Sequence, residues 1–198
     1  MGLGVDHARG QRAPGLRRAR RLGGGPPGAR RGGRLTRLAL IADTHLPRGR
    51  RSLPASCLAH LRAADAIVHA GDLSTAAVLE ELEALGPPVH AVRGNVDDAA
   101  VRARLPEVTE VPAGEALLVV VHDAGPARGR LARLRRRFPT ADAVIFGHSH
   151  IPLHEQAQDG FQIFNPGSPT ERRRQPRHTM GLAEAESGAV GFTLVDLD

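Results

Sequence analysis

The chain has 198 residues, room for one domain with a single sizeable core, and a formal charge of +6 from 27 basic residues, all arginine, against 21 acids. Nine of those arginines and only Asp6 among the acids lie in residues 1–34, a local charge of +8. The remaining 164 residues carry −2, which undercuts the charge as a sign of a nucleic-acid surface. A single cysteine, Cys57, excludes an internal disulfide framework and a cysteine-based zinc site and fits a cytoplasmic setting, while the longest aliphatic run, Ala116 to Val121, excludes a membrane span of ~20 residues.

Residues 1–34 hold 10 of the 23 glycines, three prolines and no periodic apolar pattern, so they read as a disordered tail or as translation from an over-extended start. The paired arginines at 17–18 and 20–21 lead into Gly-Gly-Gly-Pro-Pro-Gly instead of a hydrophobic segment, and export is not expected. From residue 35 to 198 the texture is that of one domain: short apolar runs alternate with helical patterns, as in an α/β fold.

The first predicted strand is Leu38–Ala42. Leu53, Cys57, Leu58 and Leu61 then form a helical stripe, in which Cys57 reads as a small buried apolar residue and not a reactive thiol. A second strand, Ala66–Ala70, precedes a helix that Ser74 would cap, with Val78, Leu79, Leu82 and Leu85 on its apolar face and Gly86 and Pro87 at its end. Strands at Val89–Val92 and Leu117–Val121 follow. Leu131, Leu134 and Phe138 mark a helix whose six arginines read as a solvated face. After the strand Ala143–Phe146 the pattern turns β-like, at Ile151–His154, Phe161–Phe164, Thr179–Ala183 and Gly191–Leu197.

Each of the five early strands ends in residues able to bind a metal: Asp43-Thr44-His45, Gly71-Asp72, Gly94-Asn95-Val96-Asp97, His122-Asp123 and Gly147-His148-Ser149-His150. The carboxyl ends of parallel strands line one crevice, so seven donors (Asp43, His45, Asp72, Asn95, His122, His148 and His150) would converge there. Imidazole, carboxylate and amide donors suit Mn²⁺, Fe²⁺, Ni²⁺ or Zn²⁺ better than Ca²⁺, and seven suffice for two ions sharing a carboxylate. Gly71, Gly94 and Gly147 either allow close backbone approach beside the donors or are ordinary strand-ending turns. His69 and His154 read as structural or exposed.

These motifs, followed by Asn165-Pro166-Gly167-Ser168, resemble in order and spacing the calcineurin-like metallophosphoesterase superfamily, and within it the small single-domain bacterial and archaeal phosphodiesterases. The resemblance covers nearly everything from Leu38 onward. It implies a four-layer α/β/β/α sandwich of two mixed β-sheets with a dinuclear site at strand ends. One ion would be held by Asp43, His45 and His150, the other by Asn95, His122 and His148, with Asp72 bridging. Two divalent ions are implied as cofactors, Mn²⁺ foremost, with Ni²⁺, Fe²⁺ or Zn²⁺ as alternatives. They would furnish a bridging hydroxide as in-line nucleophile, so that no serine or cysteine nucleophile is required.

Asp72, His148 and Asp97 are then the expected catalytic residues, Asp97 by orienting a ligand or loop, although it could equally start the next helix. Arg172 and Arg173 are candidates for substrate phosphate, with an exposed charge run as the plain alternative. Two departures stand out. Many members place a histidine, which helps the leaving oxygen, where this chain has Val96, and relatives have glycine where it has Asp123. The expected substrate is a small phosphodiester with a good leaving group. Two alternatives remain: a non-catalytic interaction scaffold of this fold, and a nucleic-acid-binding or nuclease protein aided by the basic tail. A homo-oligomer is compatible with either.

Overall fold

The computed structural model describes residues 35–47 and 51–198. The segment 1–34, read above as a tail, lies outside the described residues. The elements run β1 (Thr36–Ile41), α1 (Ala55–Ala63), β2 (Ala66–His69), α2 (Ala76–Glu83), β3 (Val89–Ala91), α3 (Ala99–Arg104), β4 (Val108–Ala113), β5 (Ala116–Val121), α4 (Arg130–Arg137), β6 (Ala143–Ile145), β7 (Leu153–Gln156), β8 (Gln162–Asn165), β9 (Thr179–Glu186) and β10 (Ala189–Asp196).

Two mixed five-stranded sheets result, in the orders β10-β9-β1-β2-β3 and β4-β5-β6-β8-β7. In the first, β1, β2 and β3 are parallel, β9 runs antiparallel to β1, and β10 runs antiparallel to β9. In the second, β5, β6 and β8 are parallel, with β4 and β7 as antiparallel edges. Strands buried on both faces read as unbroken apolar runs, and β1 shows why. Leu38 and Leu40 join Val68, Leu118, Val120, Ile145 and Phe164 in the core between the sheets. Ala39 and Ile41 turn the other way, to Cys57, Leu61, Val78, Leu82 and Val101 on the covering helices. Leu134 of α4 covers the second sheet over Val119, Val144 and Ile163. The layers are helices, sheet, sheet, helix, the four-layer sandwich that the resemblance implies.

Local differences from the sequence reading have physical causes. Helix α2 starts one residue late: Thr75 is its N-cap, with no side-chain cap bond. Ser74 sits at φ 91° with its N–H held 2.7 Å from Asp97 Oδ1, and a β-bridge ties it to Leu46, so it belongs to the loop. Strand β4 was not anticipated. Pro112 within it removes a ladder donor, which an edge strand tolerates. Strand β7 runs two residues later than Ile151–His154.

Candidate metal centre

The seven candidate donors emerge from the carboxyl ends of five strands in two sheets: Asp43 and His45 after β1, Asp72 after β2, Asn95 after β3, His122 after β5, and His148 and His150 after β6. The junctions are stitched across the sheets. His148 N donates to Asp43 Oδ1 at 2.9 Å and Ser168 Oγ donates to the Asp43 carbonyl at 2.8 Å. Thr170 Oγ1 donates to the Thr44 carbonyl at 2.6 Å. Asn165, at the head of the Asn-Pro-Gly-Ser turn, donates to the Gly147 carbonyl at 2.9 Å.

Five of the donors, Asp43, His45, Asp72, His148 and His150, have φ between 48° and 69°, where a Cβ is crowded. Such conformations persist where surrounding bonds over-determine them, and they gather at functional sites. The neighbouring glycines leave room for this. A Cβ on Gly71, itself at φ 87°, would lie 2.6 Å from His122 Nδ1, and one on Gly94 would run into the Asp72 carboxylate.

Asp43, His45, Asp72, His122 and His150 are buried, whereas Asn95 and His148 are exposed, so the cluster has one solvent-facing side. Donor atoms of Asp43, His45 and His150 lie within 4.8 Å of one another, as do those of Asp43, Asp72 and His122. Asp72 faces both groups: Oδ2 is 3.6 Å from His45 Nε2 and Oδ1 is 3.4 Å from His122 Nε2. Asn95 Oδ1 lies 3.0 Å from His122 Nε2 and 2.9 Å from His148 Nδ1. The outer nitrogens are oriented by main-chain carbonyls, His122 Nδ1 by Ala70 at 2.8 Å and His150 Nδ1 by Glu171 at 2.5 Å. That leaves each Nε2 directed inward, the usual second partner of a ligating imidazole.

The donors fit divalent cations. Asp43 Oδ2 is buried with no hydrogen-bond partner, and the His45 and His150 Nε2 atoms face each other at 3.1 Å. Burial pushes the Asp43 carboxyl up to about 7, outweighing the nearby imidazole charge of His122. Burial would also raise Asp72, but its hydrogen bond and charge interaction with His122 bring it down to about 2. The same pairing overcomes burial at His122 and raises it. Burial lowers His150 to about 4, which leaves it a neutral donor at pH 7.

The remaining candidates divide. Asp97 is buried, and its carboxylate accepts from Gly94 N at 2.6 Å and Ser74 N at 2.7 Å, bracing the loop that carries Asn95. Asp98, its neighbour, caps α3 by accepting from Val101 N. Val96 is 46% exposed, and its N–H donates to Asp72 Oδ1 at 3.0 Å. Asp123 Oδ1 accepts from Gly125 N at 2.7 Å. Arg173 lies close enough for its charge to act on Asp43 and His150. Arg172 instead donates to the Gln175 carbonyl at 2.6 Å. Sequence reasoning missed Arg102, whose guanidinium donates to the carbonyls of Asn95 at 2.7 Å and Asp97 at 2.8 Å, since nothing in its spacing set it apart from other arginines.

Histidine, carboxylate and amide donors at strand ends between two stacked sheets define a metal-binding α/β/β/α protein. The chain belongs to the calcineurin-like phosphoesterase superfamily, whose domain model matches residues 37–188. It is 34% identical over 142 residues to a probable metallophosphoesterase of Methanothermobacter thermautotrophicus, covering 69% of this chain and 78% of that protein. Among solved structures, Vps29 of Entamoeba histolytica complexed with zinc aligns with a TM-score of 0.64 at 23% identity, over 82% of this chain and all of that one. A novel archaeal phosphodiesterase aligns with a TM-score of 0.62 at 19% identity, over 81% of this chain and all of the other.

Proposed function

We propose that the protein is a metal-dependent phosphodiesterase whose ions are held by Asp43, His45 and His150 on one side and Asn95, His122 and His148 on the other, with Asp72 shared. The observation that carries this reading is the attitude of Asp72, one oxygen toward His45 and the other toward His122, beside the unpartnered Asp43 Oδ2. Bound divalent ions would provide Lewis-acid charge neutralisation and a nucleophilic water at neutral pH. In hydrolysis the water oxygen bonds to phosphorus, the bond from phosphorus to the leaving oxygen breaks, and that oxygen ends with a proton or as a stable anion.

The chain's own part is to hold and orient. Asp97 and Arg102 fix the Asn95 loop, Ser168 and Thr170 fix the β1 loop, and Arg173 offers a charge to the phosphoryl oxygens at the open side. Val96 has no proton to donate. A positioned general acid is worth about 10²–10⁴-fold, so turnover should favour substrates whose leaving group needs none. Diesters are favoured over monoesters in this reading, which draws support from the archaeal phosphodiesterase of the same fold.

The test is hydrolysis of bis-p-nitrophenyl phosphate and p-nitrophenyl phosphate by chelator-treated protein, before and after return of Mn²⁺, Ni²⁺, Fe²⁺ or Zn²⁺. Activity is expected only with metal and mainly on the diester. Loss of an outer-shell partner typically costs about 10–100-fold, so Asp72→Asn should cost at least that. Inactivity with every ion, together with a stable protein partner in pull-downs, would favour the scaffold reading that the Vps29 likeness brings to mind.

A further inference from the structure

Beside the metal centre lies a second feature that the hydrolytic chemistry leaves unused. A cavity of about 430 Å³ opens from Asn95 and His122, and its wall carries Arg93, Arg102, Arg137 and Asp123. The volume falls within the range of small-molecule sites, well beyond what a lone phosphoryl group fills. Asn95 and His122 are both candidate ligands, so a molecule whose phosphoryl group is held at the cluster can extend an arm into this space.

The charges in the wall do not cancel. Glu107 neutralises Arg93 at 2.7 Å. Arg102 donates to the main-chain carbonyls of Asn95 and Asp97, which orient its guanidinium without neutralising it. Arg137 stacks over the Phe138 ring at 4.9 Å; Glu107, committed to Arg93 at 2.7 Å, lies near enough for its charge to act on Arg137 as well, but forms no ion pair with it among the described residues. Against these two cations stands the carboxylate of Asp123, which accepts one main-chain N–H, from Gly125. The helix that bears Arg137 was expected to show only a solvated arginine face. Arg135, Arg136 and Arg137 all lie in its last turn, but of these only Arg137 reaches this cavity.

We propose that this cavity is a subsite for a second anionic group, so that the substrate is a phosphodiester with a further phosphate or carboxylate on one organic arm. Arg137 and Arg102 attract that group, and Asp123 tempers the attraction and disfavours arms with excess charge. Arginine is suited to the task because its planar fork presents paired donors to a phosphate or carboxylate. The inference rests on the phosphoesterase reading for the word substrate, while the binding preference stands on the cavity itself.

Binding separates the two. Mn²⁺-loaded protein is titrated by calorimetry with thymidine 3′,5′-bisphosphate and with thymidine 5′-monophosphate, and the affinity ratio is read for the natural sequence, Arg137→Gln and Asp123→Asn. Both substituted side chains are exposed, so the fold should tolerate the changes. The natural sequence should favour the bisphosphate by about tenfold, the scale of one charge-assisted contact. Arg137→Gln should bring the ratio toward one, and Asp123→Asn should raise it several-fold. A ratio near one in all three proteins, or a high ratio that neither substitution moves, would overturn the subsite. If bis-p-nitrophenyl phosphate is hydrolysed while the ratio stays flat, the phosphoesterase reading survives and the subsite does not. If the ratio responds as expected with no hydrolysis under any ion, the subsite survives and the phosphoesterase reading falls.

Discussion

Single atoms decide much at this site, and Gly94 is the sharpest case. A methyl group there would collide with the Asp72 carboxylate, the group that faces both histidine sets. Overpacking of this kind costs about 1–3 kcal/mol, so Gly94→Ala should fold with a midpoint lowered by several degrees. Metal analysis should show it depleted of bound ion; full occupancy would mean that the carboxylate can move aside. His69 acts one layer down. It is fully buried, its Nε2 lies 3.1 Å from Thr44 Oγ1, and burial pushes its pKa down to about 3. The unfolded chain takes up this proton near pH 6.5 and the folded chain only near 3, so stability falls as pH drops through that window. Thermal midpoints of the natural sequence and His69→Gln, followed from pH 7.5 to 4, should therefore converge on acidification. Parallel curves would refute this account. Asp43, Asp72 and the histidines could be picked out from sequence because metal-binding residue types follow strands in a recurring order. The part Arg102 plays in holding the Asn95 loop could not, because 27 arginines offer no contrast among themselves.

At the scale of elements, a pattern was readable wherever burial alone shaped it. Strands β1, β2, β5 and β6 are covered on both faces and appear as aliphatic runs, and α2 shows its apolar stripe of Val78, Leu79 and Leu82. Strand β4 escaped because an edge strand alternates and tolerates Pro112, which resembles a breaker in the sequence. The start of α2 was misplaced by one residue because the competitor for Ser74 was Asp97, over twenty residues away and visible only in the fold. Helix α1 yields a direct check. Cys57 is buried against the first sheet, and burial pushes its thiol up to about 12. The native protein should resist a thiol reagent at pH 8 and react stoichiometrically in denaturant. Rapid labelling of the folded state would show that α1 opens locally.

Across the whole molecule, the donor cluster draws on both sheets, which elsewhere meet chiefly through apolar side chains and a few polar contacts such as Gln162 to the Val190 carbonyl. Asp43, His45, Asp72 and Asn95 come from one sheet and His122, His148 and His150 from the other. An ion that binds only the native state adds about 2.7 kcal/mol at a hundred times its dissociation constant, roughly 5–10 °C for a domain of this size. Mn²⁺ should raise the midpoint by that order and chelator should reverse it, while Asp72→Asn should leave the melting curve indifferent to both. A large shift in Asp72→Asn would place the stabilising ion elsewhere.

The order of the strands has a consequence for biosynthesis. Strand β1, which leads into Asp43 and His45, lies between β2 and β9, and β9 and β10 carry none of the seven donors. Every donor has left the ribosome's active centre while the strand that must flank β1 is still untranslated. Until Thr179–Glu186 docks, β1 leaves one edge of the first sheet unpaired, an opening for edge-to-edge association that only the last hairpin closes.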